Sequence, residues 1–358
     1  MNKSGSLISI DILRALAAFG VFYYHQHIGS VLAGYTHMKW IGATEVFGAI
    51  YAVPLFFLIS GYCIHLSNAK YLKANQALPL GEYLKRRFLR IYPPYIVALL
   101  FSIAVNYITG HKMHLALVDF VTHIFLLQGF TVAYFNSINV VLWTISVEMA
   151  FYILYPIFYY LRQQYSLNHA LFFSLAVSLI FIVYFSFKTD LSNPERFCVF
   201  NIWFVWCCGA FLADRMIFDP SDLNRPVYLV LYGIVLVGFV VLSIFPVAWA
   251  SVIDYQFDIL IWSAPMVWLI KNENWFVQRH SFVIKVFAAM GLSSYSLYLF
   301  HRPLILLNSY LAHKLLPPNL QAAGVFIGIL AIPVITWFSY SFIEKPFLVK
   351  KRKLLVNA

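Results

Sequence analysis

The sequence predicts an all-α, polytopic membrane protein of about ten transmembrane helices with both termini in the cytoplasm. Three observations carry that prediction. Of the 358 residues, 62% are hydrophobic and only 11% are charged, where a soluble chain carries roughly 25% charged residues. Apolar runs of about 18 residues recur along the chain, each long enough to cross a hydrocarbon core as a helix. The basic residues behind the net charge of +11 gather in short segments between those runs. That is the distribution of cytoplasmic anchors at a lipid surface, not of a nucleic-acid-binding face.

The runs fall at about 7–28, 47–66, 92–109, 142–161, 169–187, 197–213, 227–249, 255–270, 286–310 and 321–343. Lys70, Lys73, Lys85, Arg86, Arg87 and Arg90 make the 67–91 loop cytoplasmic, which puts the N-terminus there too. With ten spans, Arg162, Arg215, Arg225, Lys271, Arg279, Lys285 and the basic run 350–353 fall on that same side. A weaker run, 115–130, contains Asp119, His123 and Gln128. If it crossed, every later loop would invert, so 115–141 is expected to be re-entrant or packed at the outer side. The organisation expected is one membrane domain, 1–345, and a basic cytoplasmic tail, 346–358, in contact with anionic headgroups. The longest loop, of about 25 residues, is too short to bury a core of its own, so no soluble domain is expected. The first run is expected to be retained and not cleaved as a signal, because Asp11 and Arg14 interrupt it and no small-residue cleavage site follows. Cys63, Cys198, Cys207 and Cys208 show neither a CxxC pair nor a zinc spacing and read as small buried hydrophobes.

The first span carries an acid, a guanidinium and an imidazole. Positions 7, 11, 14, 18, 21 and 25 form one stripe at 3.6-residue spacing, so Asp11, Arg14 and His25 share a face. A charged side chain at mid-bilayer costs about 2.5–3.5 kcal/mol on insertion scales, and such residues are usually functional. Arg14 and His25 are separated by about 16 Å along the axis, too far to touch. A shared role requires a long ligand with one anionic end; the structural alternative is an Asp11–Arg14 helix pair beside a hydrogen-bonded histidine. In the second span, Ser60-Gly61 offers bare backbone and close helix approach. Arg87 and Arg90, at i,i+3, either anchor the cytoplasmic end of the third span or clamp phosphates from one helix face. Thr144, Glu148, Tyr152 and Tyr155 share a face of the fourth span, and Ser294, Tyr298 and His301 form a further stripe before Pro303. His25 and His27 point about 200° apart on a helix, so no metal site is expected there.

These stretches, in this order, resemble the acyltransferase-3 family of integral membrane O-acyltransferases. The resemblance rests on an Arg-x10-His element (Arg14, His25), a Phe-Phe-x-x-Ser-Gly element (Phe56 to Gly61) and an Arg-x-x-Arg element (Arg87, Arg90). Trp143 to Glu148 and the Ser-Tyr-x-x-Tyr-x-x-His stretch ending at His301 complete it. It implies a bacterial cytoplasmic-membrane enzyme that moves an acyl group, often acetyl, from cytoplasmic acyl-CoA to a hydroxyl of a glycan such as O-antigen or exopolysaccharide. Coenzyme A then supplies the long ligand. Arg14, Arg87, Arg90, Ser60 and Gly61 are expected to bind it, with His25 as general base and Glu148 orienting or stabilising the imidazole. Trp143, Tyr298 and His301 are expected at the acceptor. Arg302 departs from the bulky apolar residue expected before Pro303. A reading from another class is a proton-coupled transporter or flippase using Asp11, His25, Glu148 and His301 as a relay; the absence of a visible inverted repeat weighs against it.

Overall fold

The computed structural model describes residues 7–111, 117–188, 190–244, 252–279 and 281–347; the basic run 350–353 lies outside them. Among the described residues there are helices and short helical turns but no strand. In chain order the helices are α1 (Ile8–His25), α2 (Ile28–Thr36), α3 (Lys39–Ala43), α4 (Ala52–Lys73), α5 (Leu80–Thr109), α6 (Leu117–Ile124), α7 (Trp143–Gln164), α8 (Leu167–Ser186) and α9 (Asn193–Arg196). They continue as α10 (Val199–Phe218), α11 (Pro226–Ile244), α12 (Asp254–Leu260), α13 (Ser263–Lys271), α14 (Glu273–Arg279), α15 (Phe282–Leu292), α16 (Ser294–Leu315) and α17 (Pro318–Ser339), which runs into a π-helical turn, Tyr340–Glu344.

Among the described residues, seven helical segments are long and apolar enough to cross a membrane, and an eighth is added if α15 and α16, bent by 73° at their junction, form one span. Two of the apolar runs stand apart for identifiable reasons. The first forms α1, where Asp11, Arg14 and His25 dilute the apolar character of only 18 residues. The run at 255–270 is broken into α12 and α13, helices of 7 and 9 residues, neither of which reaches the ~20 residues a span needs.

The chain folds into two compact units: 1–13, 53–84 and 147–280 make the first, and 14–52, 85–146 and 281–358 the second. In the first unit, Ile8 and Ser9 donate their backbone N–H groups to the Glu273 carboxylate (2.7 and 2.9 Å), satisfying donors that a helix start leaves open. Its core joins α4 to α10 at backbone contact. A Cβ on Gly61 would lie 2.1 Å from the Trp206 carbonyl oxygen, and one on Gly209 would lie 2.2 Å from that of Leu58. Beside this crossing, Phe151 packs edge-on to Phe57 and stacks on Trp206, with ring centroids 5.4 and 5.3 Å apart. A buried polar chain also ties α4, α7 and α10 together: Asp214 meets His65 Nε2 (2.9 Å) and Arg162 Nε (2.8 Å), while His65 Nδ1 meets Tyr155 Oη (3.2 Å).

In the second unit, the segment at 117–141 folds onto α5 and α16. Helix α6 has eight residues, about 12 Å of rise, too little to cross a ~30 Å core. The hydroxyls of Tyr92 and Tyr95 on α5 donate to the carbonyls of Ile124 and His123 at its end (2.9 Å each). Further along, Asn106 Nδ2 donates to Ile138 O (2.8 Å), and Asn139 Nδ2 donates to Ser102 Oγ (3.2 Å) and Leu299 O (3.3 Å). Backbone groups outside regular structure are thus paired inside the protein, as a low-dielectric setting demands.

Candidate active site

Helix α1 ends at His25 because the chain turns immediately afterwards, His27 taking a left-handed conformation (φ 51°) before α2 begins. The His25 ring therefore projects from a helix end. It stacks on His301 of α16, with centroids 5.0 Å apart and planes 22° apart, and His25 Nδ1 lies 2.8 Å from His301 Nε2. Proton positions follow from the network. His301 Nδ1 faces only carbonyl oxygens, Tyr298 O at 2.8 Å and Leu297 O at 3.1 Å, so it carries the proton and donates. Neutral His301 then has Nε2 as an acceptor, which requires the proton of His25 on Nδ1 and leaves the lone pair of His25 on Nε2. His301 is almost completely buried. Tyr298 packs against its ring, with centroids 6.0 Å apart, and is itself fixed by accepting from Thr144 Oγ1 (2.9 Å) and donating to Val141 O (3.2 Å). Trp143 stacks on Phe135 at 5.0 Å.

The cationic residues gather around a carboxylate that the motifs did not point to. Glu344, buried at the end of the π-helical turn, accepts from Ser296 Oγ (2.9 Å) and is attracted electrostatically by Arg90 and Arg14. Arg87, one turn before Arg90 on α5, is buried. The signal available for Glu344 was its isolation: one acid closing an apolar run, immediately before a basic tail. The His65–Asp214–Arg162 chain was also missed, although an imidazole within an apolar span is itself such a signal.

Glu148 lies on α7. In the first unit it accepts hydrogen bonds from Ser60 Oγ (3.3 Å) and from Tyr152 Oη. Gly61 is accounted for by the α4–α10 contact. Within the second unit the structure thus brings together His25, His301 and Tyr298, and Arg14 and Arg90 around Glu344; within the first it joins Ser60 to Glu148.

A cavity of about 560 Å³ opens in the second unit among Asn106, Asp119, Tyr134, Ser137, Asn139 and Arg302, with apolar side chains completing its wall. Its size falls in the roughly 300–1,000 Å³ range of small-molecule sites. It lies toward the end of α5 remote from Arg87 and Arg90: sixteen residues separate Arg90 from Asn106, about 24 Å of helix. Arg302 reaches it from α16 next to His301 and acts electrostatically on His25. No group of three or more His, Cys, Asp or Glu able to hold a metal ion occurs among the described residues.

Comparison with known proteins gives a consistent set of similarities. The acyltransferase-3 family model, described as an acyltransferase domain, matches residues 7–338. O-acetyltransferase OatA of Staphylococcus aureus (strain NCTC 8325 / PS 47) is 26% identical over 366 residues, an alignment covering 95% of this chain and 57% of that protein. Peptidoglycan O-acetyltransferase OatA of Listeria monocytogenes serovar 1/2a is 24% identical over 375 residues, covering 94% of this chain and 55% of its own. The chain therefore spans a little over half the length of these relatives. No solved structure matches.

Proposed function

The chain belongs to the acyltransferase-3 family, and we propose that it transfers an acetyl group from cytoplasmic acetyl-CoA to a hydroxyl of a cell-surface or lipid-linked glycan across a bacterial cytoplasmic membrane. The observation that supports this most directly is the His25–His301 pair. A sugar hydroxyl is a weak nucleophile until its proton is removed, and His25 Nε2 has the free lone pair for that task. His301 holds the tautomer from the other side, the orienting role an acid plays in a catalytic triad. In the proposed step, His25 Nε2 takes the hydroxyl proton as the oxygen attacks the thioester carbonyl. The C–O bond forms, the C–S bond breaks, and the coenzyme A thiolate leaves and takes the proton back from the imidazolium.

Arg87 and Arg90, with Arg14 on α1, are assigned to the phosphates of the donor, in keeping with the bidentate preference of guanidinium for such groups. Glu344 then holds Arg14 and Arg90 in place when no phosphate is present. The helical distance from Arg14 to His25, about 16 Å, is left for the pantetheine arm. Tyr298 and Trp143 are assigned to the acceptor side. The roles expected for Ser60, Gly61 and Glu148 rest on the family motifs; for Glu148 the hydrogen bonds to Ser60 and Tyr152 suit a positioning role. An acceptor of glycan type accords with the naming of the Listeria relative.

The test is acetyl transfer by the purified full chain in lipid nanodiscs, with acetyl-CoA and solubilised cell-wall glycan. Coenzyme A release that depends on the glycan, with acetyl ester appearing on it, is the expected result. A chain that binds acetyl-CoA without transferring acetyl to any hydroxyl acceptor overturns the reading.

A further inference from the structure

Resting on that reading, we propose that the cavity beside His301 is the acceptor subsite and that Arg302 makes it selective for a carboxylate-bearing carbohydrate. Arg302 is half-buried and forms no salt bridge among the described residues. Tyr24, His25 and His301 are its electrostatic neighbours. A guanidinium within a helix bundle is expensive unless it meets an anion or a water-filled space. Here it lines a cavity of ligand size, at a position where the family resemblance led us to expect a bulky apolar residue. This cation follows His301 on α16 and acts electrostatically on the candidate base His25, so an anionic group of the acceptor would be held close to the hydroxyl that reacts.

The remaining wall fits a carbohydrate. Asp119 Oδ1 accepts from Ser137 Oγ (2.8 Å) and lies 3.1 Å from His123 Nδ1, and a carboxylate has about four acceptor positions, so capacity remains for a ligand hydroxyl. Asn106 and Asn139 hold the loop and add amide groups, while Tyr134 and the apolar side chains suit the C–H face of a sugar ring. The charge balance selects the anion. With the Asp119 carboxylate engaged by Ser137 and His123, the one guanidinium in the wall matches a single negative charge and not a doubly charged phosphate. The planar fork of arginine also fits the two oxygens of a carboxylate.

Binding of two tetrasaccharides to the full chain in nanodiscs, without donor, tests this. Hyaluronan tetrasaccharide carries two carboxylates, and chitotetraose is neutral. The wild-type chain is expected to bind the acidic sugar at least ~10-fold more tightly. Arg302→Leu is expected to erase that preference, a ~10–100-fold loss on the acidic sugar alone, as for removal of a charge-assisted pair. Arg302→Lys is expected to restore part of it, and Asp119→Asn to weaken both sugars. Equal binding of the two by wild type, a preference that survives Arg302→Leu, binding of neither sugar, or indifference to Asp119→Asn each overturns the proposal. Coenzyme A binding, measured in parallel, reports on the donor reading separately: its absence sinks that reading while the sugar preference still stands or falls by itself.

Discussion

Replacing His301 with alanine removes the acceptor for the His25 Nδ1 proton, and the imidazole is then free to present either tautomer. Acetyl transfer is expected to fall ~10²–10⁴-fold in kcat, the range for a lost general base or a wrong tautomer, with KM for acetyl-CoA little changed. His301→Gln, whose amide oxygen can accept the same proton, is expected to recover part of the rate; recovery absent in a well-folded Gln variant means that His301 does more than orient. His25→Ala is expected to lose the full amount in either background. The arginines carry a separate prediction. Changing Arg87 and Arg90 together to Gln is expected to raise KM for acetyl-CoA, and Lys at both positions to restore it only in part, since an ammonium cannot make the bidentate contact. A Gln pair that lowers only the amount of inserted protein returns both residues to the anchoring role.

Helix α4 rests on α10 with no side chain between them at Gly61, and the atom a Cβ would strike is a backbone carbonyl, which cannot swing aside. Gly61→Leu is expected to cost ~1–3 kcal/mol or more by overpacking, read as a lower midpoint of thermal unfolding in detergent; an unchanged midpoint removes the close contact as an explanation for this glycine. What the sequence disclosed at this level was periodicity and charge. Runs of apolar residues marked where helices form, and the basic loops argued against a crossing at 115–130, where the eight-residue α6 lies. The attachments of α6 were hidden, because they run from the hydroxyls of Tyr92 and Tyr95 to carbonyls about 30 residues further along the chain, and no local pattern encodes such a pair. For the same reason the stripe on α1 identified His25 as unusual but not its partner. His301 was visible only as part of a different stripe. Glu344 belonged to no stripe, and its place beside Arg14 and Arg90 emerges only from the tertiary fold.

For the protein as a whole, the distribution of basic loops leads to the expectation that both termini are cytoplasmic. A single cysteine introduced in the 350–353 run should then resist a membrane-impermeant thiol reagent applied from outside, in a background with the native cysteines removed; labelling of that site in intact cells reverses the topology. The same orientation predicts that vesicles transfer acetyl only when donor and acceptor lie on opposite sides, and transfer with both confined to the cytoplasmic face excludes the transmembrane route. The pairing of His25 with His301 has one more implication. The two residues stand 276 positions apart, and two of the three stretches of the first unit, 53–84 and 147–280, lie between them in the sequence. Closing so long a loop is entropically slow, and the ribosome delivers His25 long before α16 exists. On the proposed reading, a nascent chain already threaded into the lipid, and already carrying its arginines, has no oriented base. Chains stalled or proteolysed before α16 should be catalytically silent, unable to spend the donor pool, so activity appears only once synthesis of the bundle is nearly complete.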